Sequence, residues 1–274
     1  MPHIENHGVI LGQRDTDYIA GSITGLPYEV RNPTGDWLSY LPPGEWQRNH
    51  IVDTMACVTF SALNSIETQL KFFGIEKEFS DRFTAIMSGT TKEGNYLFKV
   101  ADSIRKDGLI LEGDYSAPEH YTWDSYYTAP SIELINKARE FLTEYEVRYE
   151  FVPPVKEQLI YHLKHAPLQI VLPGHAVLNF FCEGDVIKYF DSYEPFLKQT
   201  GAVYQALKII LNKKDTMKLT RDDIELLYKL IFNREADSGA QGYVGQDLSF
   251  VLKEFEKSEE YKNQTALVEA ARHL

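Results

Sequence analysis

Thr54-Met55-Ala56-Cys57-Val58-Thr59-Phe60-Ser61-Ala62-Leu63-Asn64-Ser65-Ile66-Glu67 is the stretch on which the reading of this chain turns. Helical periodicity begins near Ala56. Phe60, Leu63, Asn64, Glu67, Leu70 and Lys71 recur at three- and four-residue steps, and Gly74 supplies a stop. Cys57 therefore stands at a helix N-terminus, where the helix dipole favours a thiolate. Downstream come His175 and then Asp191. A thiol at a helix start, a histidine and an acid, in that order, are the parts of a cysteine nucleophile with its base. A lone cysteine is more often a small core residue, so the pattern around His175 has to decide.

That pattern is a hairpin. His175–Glu183 and Val186–Asp191 read as strands, and Gly184-Asp185 has the chemistry of the turn between them. Counted outward from the turn, 175 and 191 fall at about equal distance. In an antiparallel pair this register predicts Asp191 beside His175, holding its tautomer and stabilising its charged form. Cys182 sits in the apolar part of the same strand and reads as core.

Composition narrows the classes. The chain has 274 residues, 43% of them hydrophobic, with 17 Tyr, 15 Phe and 3 Trp, which suits a folded domain with a sizeable core. A net charge of −12 argues against a nucleic-acid binder and against anionic membranes. Two cysteines allow at most one disulfide, as in a reducing compartment. The start, Met1-Pro2-His3-Ile4-Glu5-Asn6, lacks the basic and apolar runs of a signal peptide, and no stretch is long enough for a membrane span. The expected location is cytoplasmic or virion-associated.

Residues 1–50 are rich in Gly and Pro and read as an irregular arm wrapping a globular body. After the Cys57 helix come a short helix capped by Ser80, a helix over 96–106 stopped by Gly108, and a helical stretch over 131–143. A strand over 146–152, a helix over 155–164, a strand over 168–172, the hairpin and a strand over 204–211 follow. Helices first and strands second predict an α+β fold. From Asn212 onward the chain turns charged and helical, so a boundary is placed near 213. The expected division is an arm (1–50), a core (51–212) and a helical module (213–274).

Several stretches, in order, resemble papain-like (C1-type) cysteine peptidases. Met55-Ala56-Cys57-Val58-Thr59-Phe60 is similar to the nucleophile helix, with Val58 for the usual Trp. Phe79-Ser80-Asp81-Arg82-Phe83 resembles the Leu-Ser-Glu-Gln helix start, and Gly94-Asn95-Tyr96 the Gly-Gly-Tyr of the substrate cleft. Asp107-Gly108-Leu109-Ile110 followed by Asp114-Tyr115, and Ala166-Pro167-Leu168-Gln169-Ile170, have counterparts there too. Gly174-His175-Ala176-Val177 resembles Asp/Asn-His-Ala-Val. Tyr189-Phe190-Asp191-Ser192-Tyr193 resembles Lys-Asn-Ser-Trp, with Asp for Asn and Tyr for Trp.

The resemblance implies a two-lobed fold, helical then antiparallel β, and an endopeptidase working through a thioester, with no cofactor and no metal. Cys57 would be the nucleophile, His175 the base and acid, and Asp191 the orienting residue. Gly94, Asn95 and Tyr96 would line the cleft. The family's oxyanion glutamine normally lies six residues before the cysteine, which here is Ile51. An insertion would let Gln47 take the role, with Asn49 as the alternative and the Cys57 N–H as the second donor. The loop usually placed before the histidine is missing, which would leave that side of the cleft more open. The arm does not resemble the family's helical prodomain.

The stretch Leu226–Tyr243 with Phe255–Tyr261 resembles a helical module of bacterial surface proteins, related to phycobilisome-linker-like repeats. That implies attachment, by a protein partner or by self-assembly through 213–274. The rival expectation is a non-catalytic component of a phage particle or surface assembly. Asp237 beside Gly239 reads as a helix-end turn rather than a calcium loop. His162 and His165 lack a third ligand nearby for zinc.

Overall fold

A computed structural model describes residues 6–20, 29–214, 219–246 and 248–263. By contact the chain divides into two compact units, Met1–Lys213 and Lys214–Leu274.

The first unit is built around helix α1 (Cys57–Phe72), buried on every side from Cys57 to Leu70. An amphipathic helix would show one wet face; α1 does not, because packed elements enclose it. Ile66, Leu70, Val100 and Ala101 belong to the same core, together with Val147 and Leu207 from the sheet. The polar groups of α1 are satisfied across these contacts. Gln169 Nε2 donates to Val58 O and Ser61 Oγ, both at 2.9 Å, and Gln69 Nε2 donates to Ile209 O at 3.1 Å.

Helix α2 (Asp81–Met87) starts at Ser80, whose Oγ accepts from Phe83 N. Helix α3 (Leu97–Asp107) stops at Gly108, with φ 81°. A Cβ there would stand 1.9 Å from Ala138 O, so only glycine fits. After α4 (Trp123–Tyr126), the stretch expected as one helix over 131–143 is two, α5 (Ile132–Ala138) and α6 (Phe141–Glu144). The Ala138 carbonyl that would continue α5 accepts instead from Leu109 N, in the loop after α3.

Strands β1 (Tyr145–Val152), β2 (Leu168–Leu172), β3 (His175–Glu183), β4 (Val186–Phe190), β5 (Leu197–Thr200) and β6 (Gln205–Lys213) form one sheet in the order β1-β6-β2-β3-β4-β5. Every pairing is antiparallel. Helix α7 (Lys156–Leu163) packs over it. Between β1 and β6, Glu150 stands opposite Lys208, and the two fully buried side chains are 2.7 Å apart. Strand β5 goes unforeseen in the sequence because it is a short edge strand, Leu-Lys-Gln-Thr, with no apolar alternation.

Among its described residues the arm is irregular, with one 3-10 turn at Leu38–Tyr40, and it belongs to the first unit rather than standing apart. Its early part docks by backbone pairing: Phe151 N donates to Tyr18 O, and Ala20 N to Phe151 O.

In the second unit α8 (Arg221–Phe232) opens on a capping box of Thr220 and Asp223 and ends at left-handed Asn233. A 3-10 turn (Ser238–Tyr243) begins where Asp237 Oδ1 accepts from Gly239 N, and α9 (Leu248–Lys257) completes a core of Ile224, Tyr228, Phe232, Val251 and Phe255. Among the described residues no helix is long and apolar enough to cross a membrane.

Candidate active site

Cys57 is the first residue of α1, so its own N–H has no partner one turn back in the helix. The chain enters through Met55, at φ 55°, a conformation uncommon for a residue with a side chain. Asp53 Oδ1 holds that bend by accepting from Met55 N at 2.9 Å. Cys57 Sγ accepts from Ala176 N at 3.3 Å, which places the thiol against the start of β3, next to His175.

His175 Nε2 lies 2.7 Å from Asp191 Oδ1, and Asp191 Oδ2 accepts from Lys198 Nζ at 2.8 Å. Burial alone would raise the Asp191 carboxyl, but the His175 hydrogen bond and charge, with Lys198 added, hold it below the usual carboxylate range. The other ring nitrogen, Nδ1, is buried and has no hydrogen-bond partner, so no hydrogen bond joins it to the thiol.

The contact between His175 and Asp191 does not come from the expected register. Leu178 pairs with Phe190 and Asn179 with Tyr189, and a bulge shifts the ladder before Phe181 pairs with Lys188. Continued past Phe190, that ladder sets Asp191 opposite Val177, not His175. The two side chains meet on the diagonal, within reach on one face of a sheet.

The two candidates for the oxyanion side chain part ways. Gln47 is fully buried. Its Oε1 accepts from Ser192 Oγ at 2.8 Å, leaving Nε2 to donate to Asp53 Oδ1 at 2.8 Å and to His7 O at 3.0 Å. Asn49 serves a turn instead: Oδ1 accepts from Ile51 N and Val52 N, and Nδ2 donates to Tyr121 O.

No protein-family model matches the chain, and no curated protein matches it in sequence. Solved structures do match. Xylellain, a cysteine protease from Xylella fastidiosa, is 14% identical with a TM-score of 0.54, over 76% of this chain and 96% of that one. The cysteine protease and lectin-like domains of Cwp84, a surface layer associated protein of Clostridium difficile, are 13% identical with a TM-score of 0.50, over 65% of this chain and 51% of that one. The fold is that of the papain-like cysteine proteases.

In this papain-like fold the stretch Gly94-Asn95-Tyr96 is occupied by the chain's own arm. Asn95 N donates to Gly8 O and Ile10 N donates to Asn95 O, both at 2.8 Å, with Val9 paired parallel to Asn95. The Asn95 side chain faces inward, donating to Ser88 and Thr90. The fit of the arm is close. A Cβ on Gly8 (φ +110°) would lie 1.9 Å from Met55 O, and one on Gly94 would lie 2.1 Å from the Gly8 carbonyl. The Tyr96 ring lies 2.8 Å from where a Gly12 Cβ would be.

One step before Gly8, His7 N donates to Gly174 O. The His7 ring sits 5.1 Å from that of His175 and 5.0 Å from that of Tyr193, while Tyr193 Oη donates to Asp53. The side of the cleft expected to be open is therefore covered by residues 6–10.

Cys57 is completely buried and His175 is 8% exposed. Burial pushes the thiol above its ordinary value. The Ala176 N–H works against that, and the charges of Asp53 and Asp191 add to it.

His7, Asp53 and Lys198 are the residues near the site that sequence reasoning missed; the only trace of the arm's path is the pair of glycines, 8 and 94. His162 Nδ1 lies 2.9 Å from Lys208 Nζ and His165 Nδ1 2.8 Å from Glu29 O, so both face structural partners.

Proposed function

We propose that this chain is a cysteine peptidase whose cleft is closed by its own N-terminal arm. The observation that supports the reading is that Cys57 Sγ accepts a hydrogen bond from Ala176 N, the residue after His175, while Asp191 holds His175 at Nε2. When residues 6–10 leave the cleft, water reaches the thiol and the burial that keeps it protonated is relieved. His175 takes the Cys57 proton on Nδ1, and the thiolate attacks a peptide carbonyl. Negative charge on the carbonyl oxygen meets Gln47 Nε2 and the Cys57 N–H. His175 then protonates the leaving amine, and water hydrolyses the thioester. Gln47 Nε2 already donates to a peptide carbonyl, that of His7, which supports this role. Asp53 and Gln47 hold each other in place.

The second reading, a structural component with a retired site, draws on the missing hydrogen bond between Cys57 and His175 in the closed form. In either reading residues 214–274 serve as an attachment module. Leu226 and Leu230, one turn apart on α8, stand exposed as a partner surface would require.

The test uses the full chain with Gly8→Ala, whose new methyl cannot coexist with Met55 O. Iodoacetamide labelling of Cys57 at pH 6 should rise at least tenfold over the unchanged protein, casein hydrolysis should appear, and His175→Ala should abolish both gains. If Cys57 in the Gly8→Ala protein reacts no faster than a thiol of pKa about 8.5, the peptidase reading fails and the structural one stands.

A further inference from the structure

A cavity of about 280 Å³ lies against the first turns of α1, bounded by the segment that leads into Gln47. Three separate segments bring a carboxylate to it: Glu45 before the site, Asp81 at the start of α2, and Glu112 in the turn after α3. Asp81 is only 8% exposed; its carboxyl shares a hydrogen bond with Glu45, and its Oδ1 has no donor from any other group. Two more carboxylates stand behind these, Glu67 on α1 and Glu78 before α2. Glu67 Oε1 accepts from Phe79 N, and among the described residues none of the five forms an ion pair.

The cations nearby are otherwise engaged. Arg82 donates to the carbonyls of Tyr126, Ser116 and Ser125 and stacks 4.3 Å from the Tyr115 ring. Lys71 donates to Leu41 O, and Arg48 lies 5.5 Å from the Trp46 ring. Arg82, held by those carbonyls, is itself part of the wall together with Gly44 and Ala117, and the rest of the lining is aromatic: Trp46, Phe60, Tyr121 and Tyr126.

We propose that this cavity is a binding site for a small organic cation, an alkylammonium or a guanidinium. Glu45 and Asp81 are its charge partners and the aromatic rings its walls. Buried carboxylates without a counter-charge are costly; a cation supplies what Asp81 Oδ1 lacks. The rings favour an organic cation over a metal, because aromatic faces attract diffuse positive charge. Among the described residues, moreover, no three His, Cys, Asp or Glu side chains converge as a metal site.

In the empty cavity protons do the neutralising. Burial pushes Glu45 up to about 8, Glu112 up to about 7, and Asp81 well above its ordinary range; after burial, a hydrogen bond with Glu78 raises Glu45 further, and the charge of Glu45 raises Asp81. A bound cation therefore displaces protons. The site does not depend on the peptidase reading, since it needs neither Cys57 nor His175.

Calorimetric titration of the full chain with agmatine, at pH 6, 7 and 8 in two buffers of different ionisation enthalpy, tests the proposal. Affinity should tighten by roughly tenfold per pH unit while one proton is displaced, and binding should release protons. Asp81→Asn and Glu45→Gln should each weaken binding at least tenfold and remove proton release. Replacing a protonated carboxyl by a neutral amide should not lower the melting temperature, and half-buried Glu45 provides a readout if Asp81→Asn perturbs folding. Nα-acetyl-lysine amide, run in parallel, separates the sources. Agmatine binding marks a free amine, and binding of the lysine derivative alone marks a side chain of a peptide; both uphold an organic-cation site. The proposal is overturned if neither binds at millimolar concentration, if both variants bind as the parent does, or if Ca²⁺ binds with the same Asp81 dependence while the amines do not.

Discussion

Asp191 shows how one atom's partners constrain a residue. Its two oxygens face two donors, His175 Nε2 on Oδ1 and Lys198 Nζ on Oδ2. A carboxylate accepts from both; an amide has one acceptor oxygen. Asp191→Asn therefore forces His175 and Lys198 to compete, and the amide NH₂ must face one of them. In the opened protein we expect it to slow Cys57 alkylation about tenfold or more, since a hydrogen bond to a charged group contributes about 1.5–3 kcal/mol. Adding Lys198→Met removes one competitor and should restore most of the rate. Four alkylation rates in a double-mutant cycle measure this, and additive effects would sink the idea. The nearness of Asp191 to His175 is legible because a hairpin turn is local, and Gly184-Asp185 announces it. The bulge between Asn179 and Phe181 carries no compositional mark, so the register that explains the contact was not. Lys198 is hidden for a related reason: it lies on an edge strand without periodicity.

At the scale of elements, packed helices and strands repeat their contacts at 3.6 or 2 residues, and sequence carries that repeat. The arm has none. Its first described stretch, residues 6–20, is held largely by backbone pairing to Asn95, Gly174 and Phe151, which any residue can make, and by a side-chain cluster around Arg14. Arg14 donates to Asp17 and to Asp102 on α3, at 2.7–2.9 Å, and also to Tyr149 on β1. This cluster anchors the arm just beyond the cleft, two residues after Gly12. Arg14→Met should loosen residues 6–12 without touching Cys57 or His175. Asp102 keeps Arg105 and Lys106, whereas buried Asp17 loses its guanidinium partner. Amide exchange at Val9 and Ile10 should speed up by about tenfold, the factor that corresponds to 1.4 kcal/mol, and Cys57 labelling should rise in step. Faster exchange with unchanged labelling would show that the arm does not guard the thiol.

Across the whole first unit, two sets of carboxylates oppose one another. Asp53, Asp102 and Asp191 keep net depressed values: burial raises each, and hydrogen bonds and cations outweigh it. Each contributes stability that is present above the unfolded carboxylate value, near 4, and lost as pH falls below it. Glu45 and Glu67, pushed up to about 8, and Glu112, to about 7, behave the other way, chiefly through burial. Their stability is complete below about 4.3, the unfolded value. It drains away as pH rises through 7 to 8, because the unfolded chain releases protons that the folded chain still holds. Stability should therefore peak near pH 5 and decline toward pH 8.5. All three tryptophans, Trp37, Trp46 and Trp123, lie in this unit, and Trp37 is fully buried, so tryptophan fluorescence follows its melting alone. We expect the midpoint to fall by on the order of 5–10 °C between pH 5 and pH 8.5. Glu67→Gln isolates one contributor. The amide oxygen can still accept from Phe79 N, but it cannot ionise. The variant should match the parent at pH 5, melt higher at pH 8.5, and so flatten the profile. A midpoint that instead rises with pH, or a Glu67→Gln curve parallel to the parent's, would mean that these buried carboxyls ionise with the fold intact and at little cost.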